Sequence, residues 1–223
     1  MARKKGKQSK AELNVCLILD ESGSMGGIKE STIDSVNEYL DTLKDICANV
    51  TIATFHSDWH QGMKLTKQDY SATSDVPRLS QSNYKPDGGT PLLDAVGTVI
   101  ADLTDEKTLV VVVTDGCENT STEYSAKQIK KLIEEKSAND WQFIYLGANQ
   151  DSWGEAQQYG FNKGTTYDYV ATNDGMRNMT SALSMDTMCF ASAGTWSGDN
   201  LSNLKTESED KKCQKPKGKS TNS

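Results

Sequence analysis

An α/β fold is predicted, doubly wound around a mostly parallel six-stranded sheet with helices on both faces. Three features of the sequence predict it. Short apolar, β-branched runs alternate along the chain with stretches whose apolar residues recur at helical spacing. The most hydrophobic run, TLVVVV at 108–113, is continuously apolar, as a strand covered on both faces must be. Two of the runs, LILD and VVTD, end on an acid, and in such sheets ligands gather outside the carboxyl ends of the strands.

The elements follow in order. NVCLILD (14–20) is a buried strand, and Ile33, Val36, Leu40 and Leu43 then step along an amphipathic helix from about 28 to 46. NVTIATFHS (49–57) is β-branched and aromatic, a second strand. The polar segment 58–84 offers QGMKLTK as a short antiparallel edge strand, then a loop after Tyr70. GGTPLLDAVGTVIADL (88–103) begins a helix with Pro91 in its first turn, where the missing N–H costs nothing, and Leu92, Val96, Val99 and Leu103 form its stripe. After the central strand, Thr120 and Glu123 have capping-box spacing ahead of a helix through Ile129, Leu132 and Ile133. WQFIYLGA (141–148) is the next strand, 152–159 a short helix, and YDYVAT (167–172) the last strand. A final helix carries Met176, Met179, Leu183, Asp186, Thr187 and Phe190, with Met185 and Met188 also expected to face the core or fill gaps.

Composition sets the frame. At 223 residues, with 35% hydrophobic and 25% charged residues, the chain reads as one soluble domain, 13–193, between two tails. The tails, 1–12 and 194–223, are Lys-rich, the second largely disordered after about 204. The overall charge is −7, and the basic ends leave the body between them more acidic still. An acidic body disfavours nucleic acid, except for weak contact through the tails. No apolar run approaches the ~20 residues of a membrane span, and LNVCLIL is too short for a signal peptide, so a cytoplasmic location is expected. The five cysteines (Cys16, Cys47, Cys117, Cys189 and Cys213) are odd in number and show no CxxC, which argues against a disulfide framework or zinc site. Most are expected to be small buried apolar groups.

The chemistry concentrates in D-E-S-G-S, where Asp20, Ser22 and Ser24 alternate on the loop leaving the first strand. Asp115 leaves the central strand in the same way, and Thr90 arrives from a third segment made sharp by Gly88 and Gly89. Hydroxyl and carboxylate oxygens suit a hard cation such as Mg²⁺, which takes about six oxygens and keeps some waters. Two acids alone would neutralise a divalent ion and leave it an appetite for another oxyanion. Each piece also has a plainer reading: Asp20, Ser22 and Ser24 as turn and cap residues, Thr90 as a helix cap, Asp115-Gly116 as a strand-end turn.

D-x-S-x-S at 20–24, the Thr of GGTPLLDA and the Asp of VVTDG together resemble the von Willebrand factor A domain, whose metal-ion-dependent adhesion site has this composition in this chain order. The resemblance covers about 13–190, and FIYLGANQD (143–151) looks like the intracellular bacterial and phage branch of that family. It implies a metal held by Asp20, Ser22, Ser24, Thr90 and Asp115, with serines and threonine touching the ion and the aspartates bound directly or through water. The ion would be Mg²⁺, with Mn²⁺ or Ca²⁺ as substitutes. A partner's carboxylate would complete the shell, giving a non-enzymatic protein-binding module whose partner is a ring-forming ATPase or an assembly. Two rivals stand beside it. One is a Mg²⁺-dependent phosphoester hydrolase with Asp20 as nucleophile, weakened because Ser22 stands where such chemistry wants a second Asp. The other is a phage or assembly component anchored by its basic tails. His56 and His60 read as loop histidines, and Glu118 as a second-tier group or solvated acid; Trp196 is expected to pin the tail to the body.

Overall fold

The computed structural model describes residues 13–44, 46–103, 107–148 and 152–204. The N-terminal tail, the chain beyond 204 and the end of FIYLGANQD lie outside the described residues. Six strands are found among the described residues: β1 (Leu13–Asp20), β2 (Cys47–Asp58), β3 (Gly62–Tyr70), β4 (Thr108–Thr114), β5 (Gln142–Ala148) and β6 (Thr166–Tyr169). They form one sheet in the order β3-β2-β1-β4-β5-β6. All neighbours run parallel except β3, which pairs antiparallel with β2. The helices are α1 (Lys29–Leu43), α2 (Leu92–Asp102), α3 (Ala126–Ser137), α4 (Ser152–Tyr159), α5 (Asn173–Ala193) and α6 (Asp199–Ser202).

The period-two geometry of strands sorts the core into two layers. Leu13, Val15, Leu17 and Leu19 of β1, with Leu109, Val111 and Val113 of β4, face α1 and α5. The alternate residues Cys16, Ile18, Val110 and Val112 face α2, α3 and α4. Both faces are therefore apolar, which is why these strands read as unbroken hydrophobic runs.

Several boundaries differ from the sequence expectation, each for a local reason. The edge strand β3 is not short: it has nine residues, and with β2 it makes a long hairpin through Trp59–Gln61. Its polar residues alternate with Met63 and Leu65, which pack half-buried on the α2 side. The last strand stops at Tyr169 because Thr172 turns to cap α5, its hydroxyl accepting the Gly175 N–H at 3.1 Å. Thr120 and Glu123 do not form the capping box. Ser125 does, with its N–H and hydroxyl both donating to Gln128 Oε1 at 2.9 and 2.6 Å. Pro91 sits at the N-cap of α2, one place before the first turn, and α1 ends at Leu43 rather than near 46.

Met176 and Met179 are buried in the core, whereas Met185 and Met188 lie on the exposed face of α5. Cys16 is buried, but Cys117 and Cys189 are exposed, so burial does not account for these two. Trp196 packs edge-on to Phe190 with ring centroids 6.0 Å apart and donates to the Tyr167 hydroxyl at 3.1 Å. Asp186, buried in α5, accepts the N–H groups of Asn200 and Leu201 at 3.1 and 2.9 Å, holding α6 against the body.

Candidate metal centre

Strand order fixes where a ligand can sit. From β1 the chain winds outward through β2 and β3, then crosses back to β4 on the other side of β1. The winding reverses between β1 and β4, and the crevice at their carboxyl ends is the natural binding position. Leu19 pairs with Val113, so Asp20 and Thr114 end their strands side by side and Asp115 follows at once.

The loop after Asp20 turns back on it, the Ser22 N–H donating to Asp20 Oδ1 at 2.7 Å. The Ser22 and Ser24 hydroxyls lie 3.1 Å apart, and Ser24 donates to Asp115 Oδ1 at 2.6 Å. Thr90 reaches the same place from the α2 side. A Cβ placed on Gly116 would lie 3.0 Å from Thr90 Oγ1, 3.3 Å from Ser24 Oγ and 3.8 Å from Asp20 Oδ2. All five sequence-predicted residues thus bring side-chain oxygens to one spot, and the bare Cα of Gly116 leaves room there.

The scaffold around them is tightly tied. Gly23 N–H donates to Gly88 O at 3.1 Å, and the Tyr84 hydroxyl to Asp20 O at 2.7 Å. Glu21 is buried, its carboxylate accepting the Lys85 N–H and its carbonyl the Asp87 N–H at 2.9 Å. Gly88 has φ +65°, and a Cβ there would meet Ser57 O at 1.7 Å, so only glycine fits. Gly26, by contrast, has nothing within 4 Å and is not needed for the turn.

Thr90 does not cap α2. Its N–H donates to Asn119 Oδ1 at 2.8 Å, and its carbonyl accepts the Asn119 N–H at 3.2 Å, which leaves the hydroxyl turned to the crevice. Capping falls to Glu118, whose Oε2 takes the Leu93 N–H at 2.9 Å while Oε1 takes those of Thr120 and Ser121 at 2.9 and 2.7 Å. Asp94 of α2 answers by accepting the N–H groups of Thr122, Glu123 and Tyr124 at 2.7, 2.9 and 2.7 Å. Glu118 is therefore a structural clip between two site loops, not a solvated acid.

Sequence reasoning missed Asp94, Asn119, Glu21 and Thr114. Thr114 is fully buried, and its hydroxyl donates to Asp20 Oδ2 at 2.6 Å. Its signal was a lone hydroxyl closing an otherwise apolar run. Asp94 was a charge set inside the apolar stripe of a helix. His56 and His60 do not form a pair: His56 faces Glu21 at 3.8 Å, while His60 is exposed and its N–H donates to Asp58 at 2.8 Å.

Electrostatically the crevice is short of positive charge. Asp20 is fully buried, and burial pushes its carboxyl up to about 6 despite the Thr114 and Ser22 hydrogen bonds; the Asp115 charge adds to the rise. Burial also raises Asp115, offset in part by the Ser24 hydroxyl. No ion pair among the described residues engages either acid. Nor do three His, Cys, Asp or Glu side chains cluster there as a metal cage. A cation would rest on two carboxylates and three hydroxyls, a hard, oxygen-only set that fits Mg²⁺ or Mn²⁺ better than a soft ion. Asp20 is poorly placed as a nucleophile, because both of its oxygens are engaged and none of its surface is open.

A mostly parallel sheet wound both ways, with acids and hydroxyls gathered at its carboxyl-end crevice, defines a doubly wound α/β domain. The von Willebrand factor type A domain profile matches residues 14–182, and the chain belongs to that family, whose members are typically metal-dependent protein-interaction modules. Among solved structures it is similar to proximal thread matrix protein 1 from the mussel byssus, with TM-score 0.58 and 17% identity over 80% of this chain and 48% of that one. One structure of that protein has a zinc-occupied MIDAS motif. It is also similar to the pilus adhesin SpaC from Lactobacillus rhamnosus GG, with TM-score 0.59 and 14% identity over 81% of this chain and 30% of that one. The likeness therefore spans less than half of either neighbour, and at these identities it shows the fold alone. No curated protein sequence matches the chain. Among the described residues no helix is long and apolar enough to cross a membrane.

Proposed function

We propose that the chain is a non-enzymatic, divalent-metal-dependent protein-binding module, with Asp20, Ser22, Ser24, Thr90 and Asp115 as the residues that hold the ion. The observation that carries this reading is the point beside Gly116 where Thr90 Oγ1, Ser24 Oγ and Asp20 Oδ2 come within 3.8 Å, with Asp115 tied to Ser24 at 2.6 Å. When bound, the ion supplies a Lewis-acidic position that accepts an oxyanion. The residues of the chain hold the loops in register, supply neutralising charge through two carboxylates and keep one side of the crevice open at Gly116. A Glu or Asp side chain of a partner protein is the ligand that suits such a position, since without the ion the two acids would repel it. Mg²⁺ is the intended cation on the donor chemistry, with Mn²⁺ or Ca²⁺ as substitutes. The resemblance of FIYLGANQD (143–151) to the bacterial and phage branch adds a cytoplasmic setting, with a ring-forming ATPase or an assembly as the partner.

Thermal unfolding of the wild type and Asp115→Ala, each in EDTA and in millimolar Mg²⁺, tests the reading. At about 100 times Kd the ion stabilises the wild type by about 2.7 kcal/mol, or roughly 5–10 °C for a domain of this size. Asp115→Ala should show no such rise. Identical Mg²⁺ responses in the two proteins would overturn the proposal.

A further inference from the structure

The β2–β3 hairpin runs past the metal crevice and ends in a tryptophan that the fold leaves in the open. β2 continues beyond Phe55, the partner of Asp20, through His56, Ser57 and Asp58 before turning. The turn is braced: Asp58 Oδ1 accepts the His60 N–H at 2.8 Å, Asp58 Oδ2 accepts the Lys64 ammonium at 2.8 Å, and Gly62 takes φ +74° to re-enter β3. Trp59, at this tip, is 90% exposed. The fold gains no burial from so large an apolar surface on a fixed turn.

The hairpin is also fastened to the site. Ser57 and Gly89 exchange backbone hydrogen bonds at 2.9 and 3.3 Å, and the Ser57 hydroxyl accepts the Gly89 N–H at 3.1 Å. Gly89 immediately precedes Thr90. Such a bridge holds Cα atoms ~5.5 Å apart, so the Trp59 Cα lies within about 16 Å of the Thr90 Cα. The hairpin that carries the tip is thus tied directly to the loop that carries Thr90. Lys64 is committed to Asp58, so the tip presents the indole, flanked by the exposed His60 and Gln61.

From this continuity we infer that Trp59 is the second contact of a two-point recognition surface, resting on the metal-socket reading. Its occupant is an extended protein segment that pairs an acidic residue, for the metal position, with an aromatic or large aliphatic residue three to five positions away. At ~3.3 Å per residue, five positions cover the separation. An exposed Trp is the residue type in which interface hot spots are most enriched.

Random dodecapeptides displayed on phage, panned on the immobilised full chain in millimolar Mg²⁺ and eluted with EDTA, test the inference. The wild type should select an acid with an apolar residue at that spacing. Panning on Trp59→Ala should keep the acid and lose the apolar preference, and wild-type-selected peptides should bind that variant at least about tenfold more weakly. The melting curve of Trp59→Ala serves as the check that it folds. Acid-only peptides from both proteins would overturn the role of Trp59 while leaving the metal socket standing. Absence of any EDTA-eluted peptide from the wild type, with Asp115→Ala behaving identically, would overturn the socket and this inference together.

Discussion

Asp20 is the residue on which the electrostatics of the crevice turn. Its carboxyl titrates near 6 in the folded chain because burial outweighs the two hydrogen bonds it accepts, whereas an unfolded Asp titrates near 3.9. The folded state therefore binds more protons at this group across that interval, and linkage gives the sign: its contribution to metal-free stability is fully present below about pH 4 and is lost as the pH rises through about 6. The loss from this one group amounts to at most about 3 kcal/mol, and Asp115, raised by the same cause, adds in the same direction. Urea midpoints in EDTA between pH 4 and 8 should show the decline in the wild type and a flatter profile in Asp20→Asn. A wild-type profile no steeper than that of the variant would contradict the assignment. A cation at the crevice competes with these protons, so acid should weaken its binding over the same range.

At the scale of elements, loops distant in the chain are locked by carboxylates that accept backbone N–H groups. Glu118 holds the first turn of α2 and its own loop, and Asp94 holds the residues leading into α3. Because Asn119 carries the backbone of Thr90, loosening Glu118 should shift Thr90 relative to Asp115. Glu118→Ala is expected to cost about 2–3 kcal/mol in urea unfolding, since three part-buried N–H groups lose their acceptor. It should also reduce the Mg²⁺-induced rise in melting temperature although Glu118 contributes no oxygen to the crevice. Wild-type stability and Mg²⁺ response in that variant would remove the clip from the account. The same scale explains what the sequence hid. Apolar runs and helical stripes mark where elements lie, but caps depend on which side chain arrives from elsewhere: the Leu93 N–H is capped from 25 residues away. Ser125 displaced Thr120 as the start of α3 for a related reason, because the residues after Thr120 were already held by Asp94.

Over the whole molecule, legibility followed periodicity. The order of strands and helices, the parallel sheet and the antiparallel edge could be read from apolar patterning because each apolar β1 and β4 residue is buried on one face or the other. The length of β3 could not, since an edge strand with alternating half-exposed residues looks polar. The meeting of Asp20 with Asp115 was readable only as a consequence of topology, through β1 and β4 being neighbours where the winding reverses. Thr114, Asp94 and Glu118 stand out locally only as polar residues in or beside apolar runs, and which N–H or carboxylate each one meets is decided by the packed chain. The account stands on one cation gathered by these three loops. A crystal of the full chain grown with Mn²⁺ and measured at the manganese absorption edge tests it most directly. A single strong anomalous peak is expected beside Gly116, ~2.1–2.3 Å from hydroxyl oxygens of Ser22 and Ser24. A crevice empty of anomalous density, or manganese bound only elsewhere on the molecule, would contradict it.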